Sequence, residues 1–397
     1  MGGFENISTK AFVVDELGAP FKLQDIVLDE LHADEVLVEI KYTGICHTDI
    51  VVQHGGMPVG SYPAVLGHEG AGIVRQVGSG VDAASLKPGD AVMLSFRTCQ
   101  KCEACRAGRC GACPQMTELN FVRSRRDATA KPPFSLPDGK PVHGQFFGQS
   151  SFSKMTIVAE QSVTKCDLTL DEMQYLAPLG CGYLTGAGTV LNALKPNRSS
   201  KIAVLGAGAV GMAAVMAAKA AGAAEIIAVD VFDAKLELAR SVGATQTVNT
   251  KQFPDFTGKL RETFPEGVDF VLDTTGNTNL LGSSIGILAH EGTLALVGVP
   301  RPGSKIEVDA LDLLLSCKRI IGVIEGYSDP GKLLPELVQL YRAGKFPVDR
   351  IAKVYPADSL DKAIEDLKSG TVSSIFALRR FGSNETFTGH QADNFVE

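Results

Sequence analysis

The hydrophobic pattern changes character near residue 200 of this 397-residue chain. From Glu35 to Ile40 the run EVLVEI alternates apolar with acidic positions, which predicts a half-buried strand. Ala71 to Val77 (AGIVRQV) and Ala91 to Leu94 read the same way, with VGSGVD and KPGD as the turn signals between them. The first 180 or so residues therefore predict a β-rich domain with long loops. From Lys201 the rhythm becomes strand, turn, helix, strand. KIAVLG, EIIAVD, VDFVLDTTG, GTLALVG and RIIGVIEG are spaced strand candidates, several followed by helical stretches. Strands alternating with helices predict an α/β unit with a doubly wound parallel sheet. After about Tyr327 the pattern gives a helix over Leu333 to Ala343, a strand near Ile351 to Val354 and a helix over Leu360 to Lys368. The tail from Gly382 is polar and reads as loose. The α/β unit is thus expected to interrupt a second domain, with limits at 1–184 (including a lobe at about 95–115), 185–326 and 327–397.

Composition narrows the class. Apolar and charged fractions of 45% and 21% are those of a globular protein, and the length suggests two or three domains at roughly 150 residues each. A net charge of −7 argues against a nucleic-acid partner, which would require a basic face. Ile202 to Ala218 carries no charge, but its three glycines divide it into a short strand and an Ala/Met-rich helix, so no membrane span is expected. The N-terminus shows neither a secretory pattern nor the myristoylation pattern, and a soluble, reducing, cytoplasmic setting is expected. Five of the nine cysteines fall between Cys99 and Cys113. In a chain of this length such crowding reads as metal ligation sooner than as disulfides.

Gly206-Ala-Gly208-Ala-Val-Gly211 follows KIAVL and opens a helical segment, and Asp230 ends the next strand. Alone the glycine pattern is weak; between a strand and a helix, with an acid at that distance, it predicts a dinucleotide site. Backbone N–H groups approach the pyrophosphate at the helix N-terminus, and Asp230 accepts from the ribose hydroxyls while repelling a 2′-phosphate. NAD is therefore favoured over NADP.

Cys99-x2-Cys102-x2-Cys105-x7-Cys113 supplies four thiolates, enough to close a tetrahedral zinc and leave no position for substrate. An iron–sulfur cluster would also use four cysteines, and spacing alone leaves Cys110 as a rival to Cys113. Gly44-Ile-Cys46-His47-Thr48-Asp49, Gly67-His68-Glu69 and Leu179-Gly180-Cys181-Gly182 are each unremarkable, since a lone cysteine or histidine usually packs a core. Together they offer two thiolates and an imidazole, which leave a fourth position on zinc open for Lewis-acid chemistry.

In this order, these motifs resemble the zinc-dependent medium-chain alcohol dehydrogenases over about residues 8 to 380. The resemblance implies a GroES-like β-rich catalytic domain joined to a Rossmann cofactor domain, two zincs per chain, NAD, and a homodimer or homotetramer built through the cofactor domains. It implies that Cys46, His68 and Cys181 bind the catalytic zinc, with Glu69 behind the metal and Asp49 fixing the His68 ring. Thr48 would bond the substrate alcohol and pass its proton toward the cofactor ribose. Cys99, Cys102, Cys105 and Cys113 match the structural zinc, with Cys110 surplus. Thr185 and Val299 would border the nicotinamide, Lys235 would assist Asp230, and His47 would face the pyrophosphate. Two positions depart from the family: Val51 replaces a proton-relay histidine, and Ser374 replaces a pyrophosphate-binding arginine.

The stretches around Phe96, around Phe146 and Phe147, and GVIEG resemble the benzyl- and aryl-alcohol branch, which implies that those phenylalanines lie near a channel for flat aromatic or allylic alcohols; the alternative is that one or more of them simply packs the core. The basic run Arg123-Ser-Arg125-Arg126 reads as a solvated loop, though such cations also keep a glutathione-adduct substrate in play. Other readings are a reductase of C=N or conjugated C=C bonds and a non-enzymatic cofactor-binding protein. The intact Cys46, Thr48, His68 and Cys181 weigh against the last.

Overall fold

A computed structural model of the chain describes residues 7–369 except 58, 126 and 128, together with the backbone of a strand at Ile375–Arg379. The strand Glu35–Gly44 is the hub of the N-terminal region. It pairs antiparallel with Gly70–Val77, with Met155–Ala159 and, across the whole cofactor region, with Ile375–Arg379. Ile375–Arg379 also pairs in parallel with Ala352–Pro356, so both ends of the chain build one seven-stranded sheet.

The alternation in EVLVEI predicts a half-buried strand, but this one is covered on both faces. Glu35 is 3% exposed and Glu39 8%. Both acids are buried because they are paired: Glu35 Oε1 accepts from Arg125 Nε at 2.9 Å and Gln145 Nε2 at 2.6 Å, and Glu39 Oε2 accepts from Arg75 Nε at 2.9 Å. Ion pairs of this kind allow polar positions inside a sheet that period-two reading assigns to solvent. A five-stranded antiparallel sheet, Ala64–Val65, Ser8–Val14, Phe21–Leu28, Phe134–Ser135 and Pro141–Val142 in spatial order, packs the other side of the core.

The middle of the chain forms a six-stranded sheet, all parallel. In spatial order it runs Gln246–Asn249, Glu225–Asp230, Lys201–Leu205, Val268–Asp273, Leu288–Leu296 and Arg319–Gly322. In chain order this is 3-2-1-4-5-6, the doubly wound arrangement whose crevice lies where the winding reverses, beside the C-terminal end of Lys201–Leu205. Strand Gln246–Asn249 gave no apolar run in the sequence, because it is a short edge strand with polar side chains. RIIGVIEG yields a strand only as far as Gly322; the remainder bends into a turn at Glu325–Tyr327. Ile202 to Ala218 divides into the strand Lys201–Leu205 and the helix Ala209–Ala221, and no helix among the described residues is long and apolar enough to cross a membrane. Between the two regions the helix Gly182–Gly188 packs against Ala209–Ala221, so the end of the β-rich region and the start of the cofactor fold share one interface.

Candidate metal and cofactor site

Cys46 has extended dihedrals (φ −103°, ψ 151°) and caps the short helix His47–Gln53. In the first turn of that helix, Asp49 reaches back so that Oδ2 accepts from the Cys46 backbone N–H at 3.1 Å. Its Oδ1 accepts from Gly67 N–H at 3.0 Å and faces His68 Nδ1 at 2.9 Å. Because a carboxylate only accepts, Nδ1 carries the proton and Nε2 is left with a free lone pair. That Nε2 is buried and has no hydrogen-bond partner among the described residues. Cys181 arrives from a third segment, at the start of Gly182–Gly188. Ligand atoms of Cys46, His68 and Cys181 lie within 4.8 Å of one another. An orphaned imidazole nitrogen aimed at two sulfurs is costly in a core, about 1–3 kcal/mol, unless it ligates a cation. The donor set fits a zinc held by three protein ligands with a fourth position left open.

The electrostatics are those of a shared anionic pocket. A hydrogen bond from Cys181, followed by the nearby His68, holds the Cys46 thiol well below its usual range, and the same bond pushes Cys181 well up. For His68 burial opposes the charged form, but the Asp49 carboxylate and the Cys46 sulfur override it and raise its pKa well above the ordinary value, so these groups favour a positive charge at the ring, borne by a proton on Nε2 when no metal is held there. Burial, then the Cys46 sulfur, raises Glu69 strongly. Glu69 Oε1 accepts from Gly182 N–H at 3.0 Å, and its buried Oε2 has no partner among the described residues. Thr48 is half-buried and His47 exposed on the same helix, while Val51 and the helix-ending His54 face outward. Ser374 lies outside the described residues.

Phe147 stacks on the His68 ring with centroids 4.5 Å apart, and Phe146 meets it edge-on at 5.6 Å. Phe121, which no sequence motif marked, packs edge-on against both at 4.9 and 5.7 Å. Phe96 is buried in the same core, next to Ser95, whose hydroxyl donates to the Gly180 carbonyl at 2.6 Å. The basic run is not a solvated loop at Arg125. That side chain is 3% exposed, bonded to Glu35 and, at 2.8 Å, to Asp29 Oδ2. Arg123 pairs with Glu118 at 2.8 Å, and Arg126 lies outside the described residues.

In the cofactor region Gly206 has φ +91°, a left-handed turn that glycine takes without a Cβ penalty. At Gly211 a Cβ would lie 1.8 Å from the Gly206 carbonyl, so only glycine allows helix and strand to meet this closely. Gly208 caps the helix, with open space where a Cβ would project. The turn thus presents free backbone at a helix N-terminus, the arrangement that binds a pyrophosphate. Asp230 is tied to the same turn: Oδ2 accepts from Ala207 N–H at 2.8 Å, and Oδ1 from Val231 and Phe232 N–H at 2.7 and 3.0 Å. Lys235 lies on the next helix with Nζ 5.2 Å from the Phe232 ring centre. Thr185 is buried and donates to Glu325 Oε2 at 3.2 Å, whereas Val299 is exposed on the loop after Leu288–Leu296. Glu325 is the second functional candidate without a motif role: burial pushes its carboxyl up to about 7.

The tetracysteine lobe is built differently. Sulfurs of Cys99, Cys102, Cys105 and Cys113 lie within 4.8 Å of one another. The loop folds its own N–H groups onto them: Cys99 Sγ accepts from Cys102 N–H at 3.3 Å, and Cys102 Sγ from Cys105 N–H at 3.5 Å. Although burial opposes it, such N–H groups bring the Cys99 thiol down to about 6. Cys110 stands apart, its thiol facing the Cys105 carbonyl at 3.9 Å and pushed up to about 11 by burial. Burial pushes Cys166 up to about 12, and Cys317 is exposed; neither belongs to a metal-binding group among the described residues.

A β-rich region carrying two sulfur clusters, set against a 3-2-1-4-5-6 sheet with a glycine turn, defines a zinc- and nucleotide-dependent dehydrogenase. The chain belongs to the zinc-binding alcohol dehydrogenase family: the "Alcohol dehydrogenase GroES-like domain" profile matches residues 32–168 and the "Zinc-binding dehydrogenase" profile residues 209–341. It is 35% identical to geraniol dehydrogenase of Castellaniella defragrans over 366 residues, covering 92% of this chain and 96% of that one. Among solved structures, an alcohol dehydrogenase zinc-binding domain protein from Burkholderia ambifaria superposes with a TM-score of 0.90 at 40% identity, covering 95% of this chain and 100% of its own. Benzyl alcohol dehydrogenase from Acinetobacter calcoaceticus does so with a TM-score of 0.87 at 38% identity, covering 94% of this chain and 100% of its own. The protein is therefore an alcohol dehydrogenase that uses zinc and a nicotinamide cofactor.

Proposed function

We propose that the enzyme interconverts a primary aromatic or allylic alcohol and its aldehyde by hydride transfer with NAD(H). The observation that carries this reading is the wall of phenylalanine rings in direct contact with His68. Phe146, Phe147 and Phe96 are buried in the core of this region, and in this reading they would border the inner end of a substrate channel with an apolar, aromatic surface suited to flat side chains. The likeness to a geraniol dehydrogenase and a benzyl alcohol dehydrogenase supports the same substrate class.

A zinc held by Cys46, His68 and Cys181 supplies Lewis acidity that makes a bound hydroxyl more acidic and an aldehyde carbonyl more electrophilic. Asp49 keeps His68 in the tautomer whose Nε2 would ligate the metal, and Glu69 would stand behind that metal. Thr48 accepts the substrate hydroxyl proton in a hydrogen bond and passes it toward the cofactor ribose. With Val51 in place of a relay histidine, the proton leaves through water, His47 or the ribose itself. A bound NAD+ would supply the hydride acceptor: the carbinol carbon would lose a hydrogen nucleus with two electrons to it, and the hydroxyl proton would leave separately to solvent. Thr185 and Val299 would border a bound nicotinamide and help to hold it against the carbinol carbon. The Gly206–Gly211 turn holds the pyrophosphate, with His47 nearby. Asp230, assisted by Lys235, holds the adenosine ribose and repels a 2′-phosphate.

Cys99, Cys102, Cys105 and Cys113 hold a closed structural zinc in this reading, and the domain limits are 1–184, 185–326 and 327–397. Leu311, Leu314 and Leu315 are 64%, 71% and 68% exposed beside the edge strand Arg319–Gly322, a surface that a second copy covers in a homodimer or homotetramer. None of the nine cysteines is in a disulfide, which fits a reducing, cytoplasmic setting. An NADH-absorbance screen of benzyl, cinnamyl, geranyl and short aliphatic alcohols at about pH 7 to 9 tests the proposal. The expected outcome is a kcat/KM for the aromatic and allylic alcohols at least about tenfold above the aliphatic ones. Oxidation of none of them, or a preference for the aliphatic ones, overturns it.

A further inference from the structure

The turn Glu325–Tyr327, leaving the last strand of the parallel sheet, touches three parts of the molecule at once. Glu325 is 7% exposed and has φ 49°, a left-handed conformation that a non-glycine residue keeps only where its surroundings enforce it. One carboxylate oxygen, Oε1, lies 3.7 Å from Cys181 Sγ, and the other accepts from Thr185 Oγ1 at 3.2 Å. A single buried side chain thus bridges a metal-ligand cysteine and a residue at the nicotinamide face.

The bridge is clamped from both sides. On one side stands the tetracysteine lobe, where a Cβ on Gly111 would lie 1.9 Å from the Ile324 carbonyl and 3.3 Å from Glu325 Cβ. On the other stands the helix carrying Cys181 and Thr185, where a Cβ on Gly326 would lie 2.6 Å from Gly188 Cα. The Gly326 carbonyl is held there by Asn192 Nδ2 at 3.1 Å.

We infer that Glu325 is a positioning residue, fixing the direction of the Cys181 sulfur and the Thr185 hydroxyl, and that the tetracysteine lobe fixes Glu325 in turn through Gly111. The inference rests on the ligand and cofactor assignments proposed above. With Cys181 engaged on a metal its sulfur no longer donates, and Glu325, still anchored by the Thr185 hydrogen bond, limits where the sulfur can turn through packing and charge. The lobe then does more than close a loop: it braces the catalytic cysteine from the far side of the turn.

The test uses holoenzyme carrying cobalt(II) in the catalytic position, whose visible bands report the geometry of thiolate ligands, compared across wild type, Glu325→Gln, Glu325→Asp and Gly111→Ala. Glu325→Gln is expected to shift the cobalt bands and to lower kcat by about 10- to 100-fold with little change in the alcohol KM. Glu325→Asp is expected to recover part of both, and Gly111→Ala to shift the bands in the same direction from within the lobe. A folded, two-metal Glu325→Gln protein with the wild-type cobalt spectrum overturns the inference. Should that variant not hold cobalt, Thr185→Val cuts the other end of the bridge, and an unshifted spectrum there overturns it equally. The spectra need no substrate: a wild type inactive on every alcohol would sink the substrate reading alone, while unshifted bands would sink this inference alone.

Discussion

The two sulfur clusters of this chain are built in opposite ways. In the lobe, four cysteines from one short stretch close on themselves, the loop's own N–H groups bond the sulfurs, and three of the four residues remain partly exposed. In the other cluster, Cys46, His68 and Cys181 come from three separate segments, and His68, Asp49 and Glu69 are all but excluded from solvent. A local site needs only that a loop close, whereas a distributed one exists only when the strand hub, the capping helix and the interdomain helix are all in place. The lobe offers four sulfurs within 4.8 Å of one another, enough to close the shell of a tetrahedral metal. The distributed site brings two sulfurs together with one imidazole nitrogen that has no hydrogen-bond partner among the described residues.

Substitutions can break this contrast, and the largest effect is expected at the distributed site. Cys46→Ser should lower alcohol oxidation by about a thousandfold or more, since Lewis-acid assistance is worth several kcal/mol. Metal analysis should read one zinc per chain instead of two, with the lobe metal retained. Two retained zincs and near-normal turnover would show that Cys46 is not a ligand. Cys102→Ser should also leave one zinc per chain but act on stability, by about 4 kcal/mol, read as a lower urea midpoint. If its catalytic cost equalled that of Cys46→Ser at full folding, the division into closed and open sites would be wrong. Asp49→Asn keeps the shape while changing the hydrogen bond to His68 Nδ1, and should cost about 10- to 100-fold in metal affinity or activity. A smaller loss would mean that packing against Phe147 alone orients the ring.

The smallest effect belongs to a contact outside both clusters and calibrates general stability. Arg342 binds Glu172 through Nε at 2.7 Å and Nη2 at 3.0 Å, joining the helix Leu170–Leu176 to the helix Pro330–Arg342. The Arg342 hydrogen bond brings the Glu172 carboxyl from 4.5 down to about 2. Its folded-state pKa is depressed, so the stabilisation is complete above 4.5 and is lost as pH falls toward about 2. Glu172→Gln should cost no more than about 1 kcal/mol near neutral pH and nothing at the acid end of that window, measured by urea unfolding across pH. An equal cost at both ends would show that packing, not charge, is what the residue contributes.

Much of the architecture was legible because periodicity and glycine placement are local. KIAVL, EIIAVD and VDFVLD became parallel strands, and the Gly206–Gly211 turn opened its helix. Gln246–Asn249 was not legible, since a polar edge strand carries no hydrophobic signature. Glu35 and Glu39 were expected at a solvated face because alternation says nothing about Arg125 and Arg75 arriving from elsewhere to pair with them. Arg125 itself looked like part of a solvated run for the same reason. Phe121 lacked any motif, and Glu325 lay in GVIEG without a role assigned to it; their places beside Phe147 and Cys181 follow from packing between distant segments.

The sequence by itself determined the ligand chemistry: which sulfurs, imidazole and carboxylates are available, and the local turn that a dinucleotide needs. Those are properties of residue types and short spacings. Only the tertiary structure decided which of them meet. It turned Cys110 away from the four-sulfur group and aimed His68 Nε2 at Cys46 and Cys181. It also set Glu325 between the lobe and the catalytic helix. Convergence of far-apart segments is fixed by strand pairing and core packing, and no window of the chain contains it.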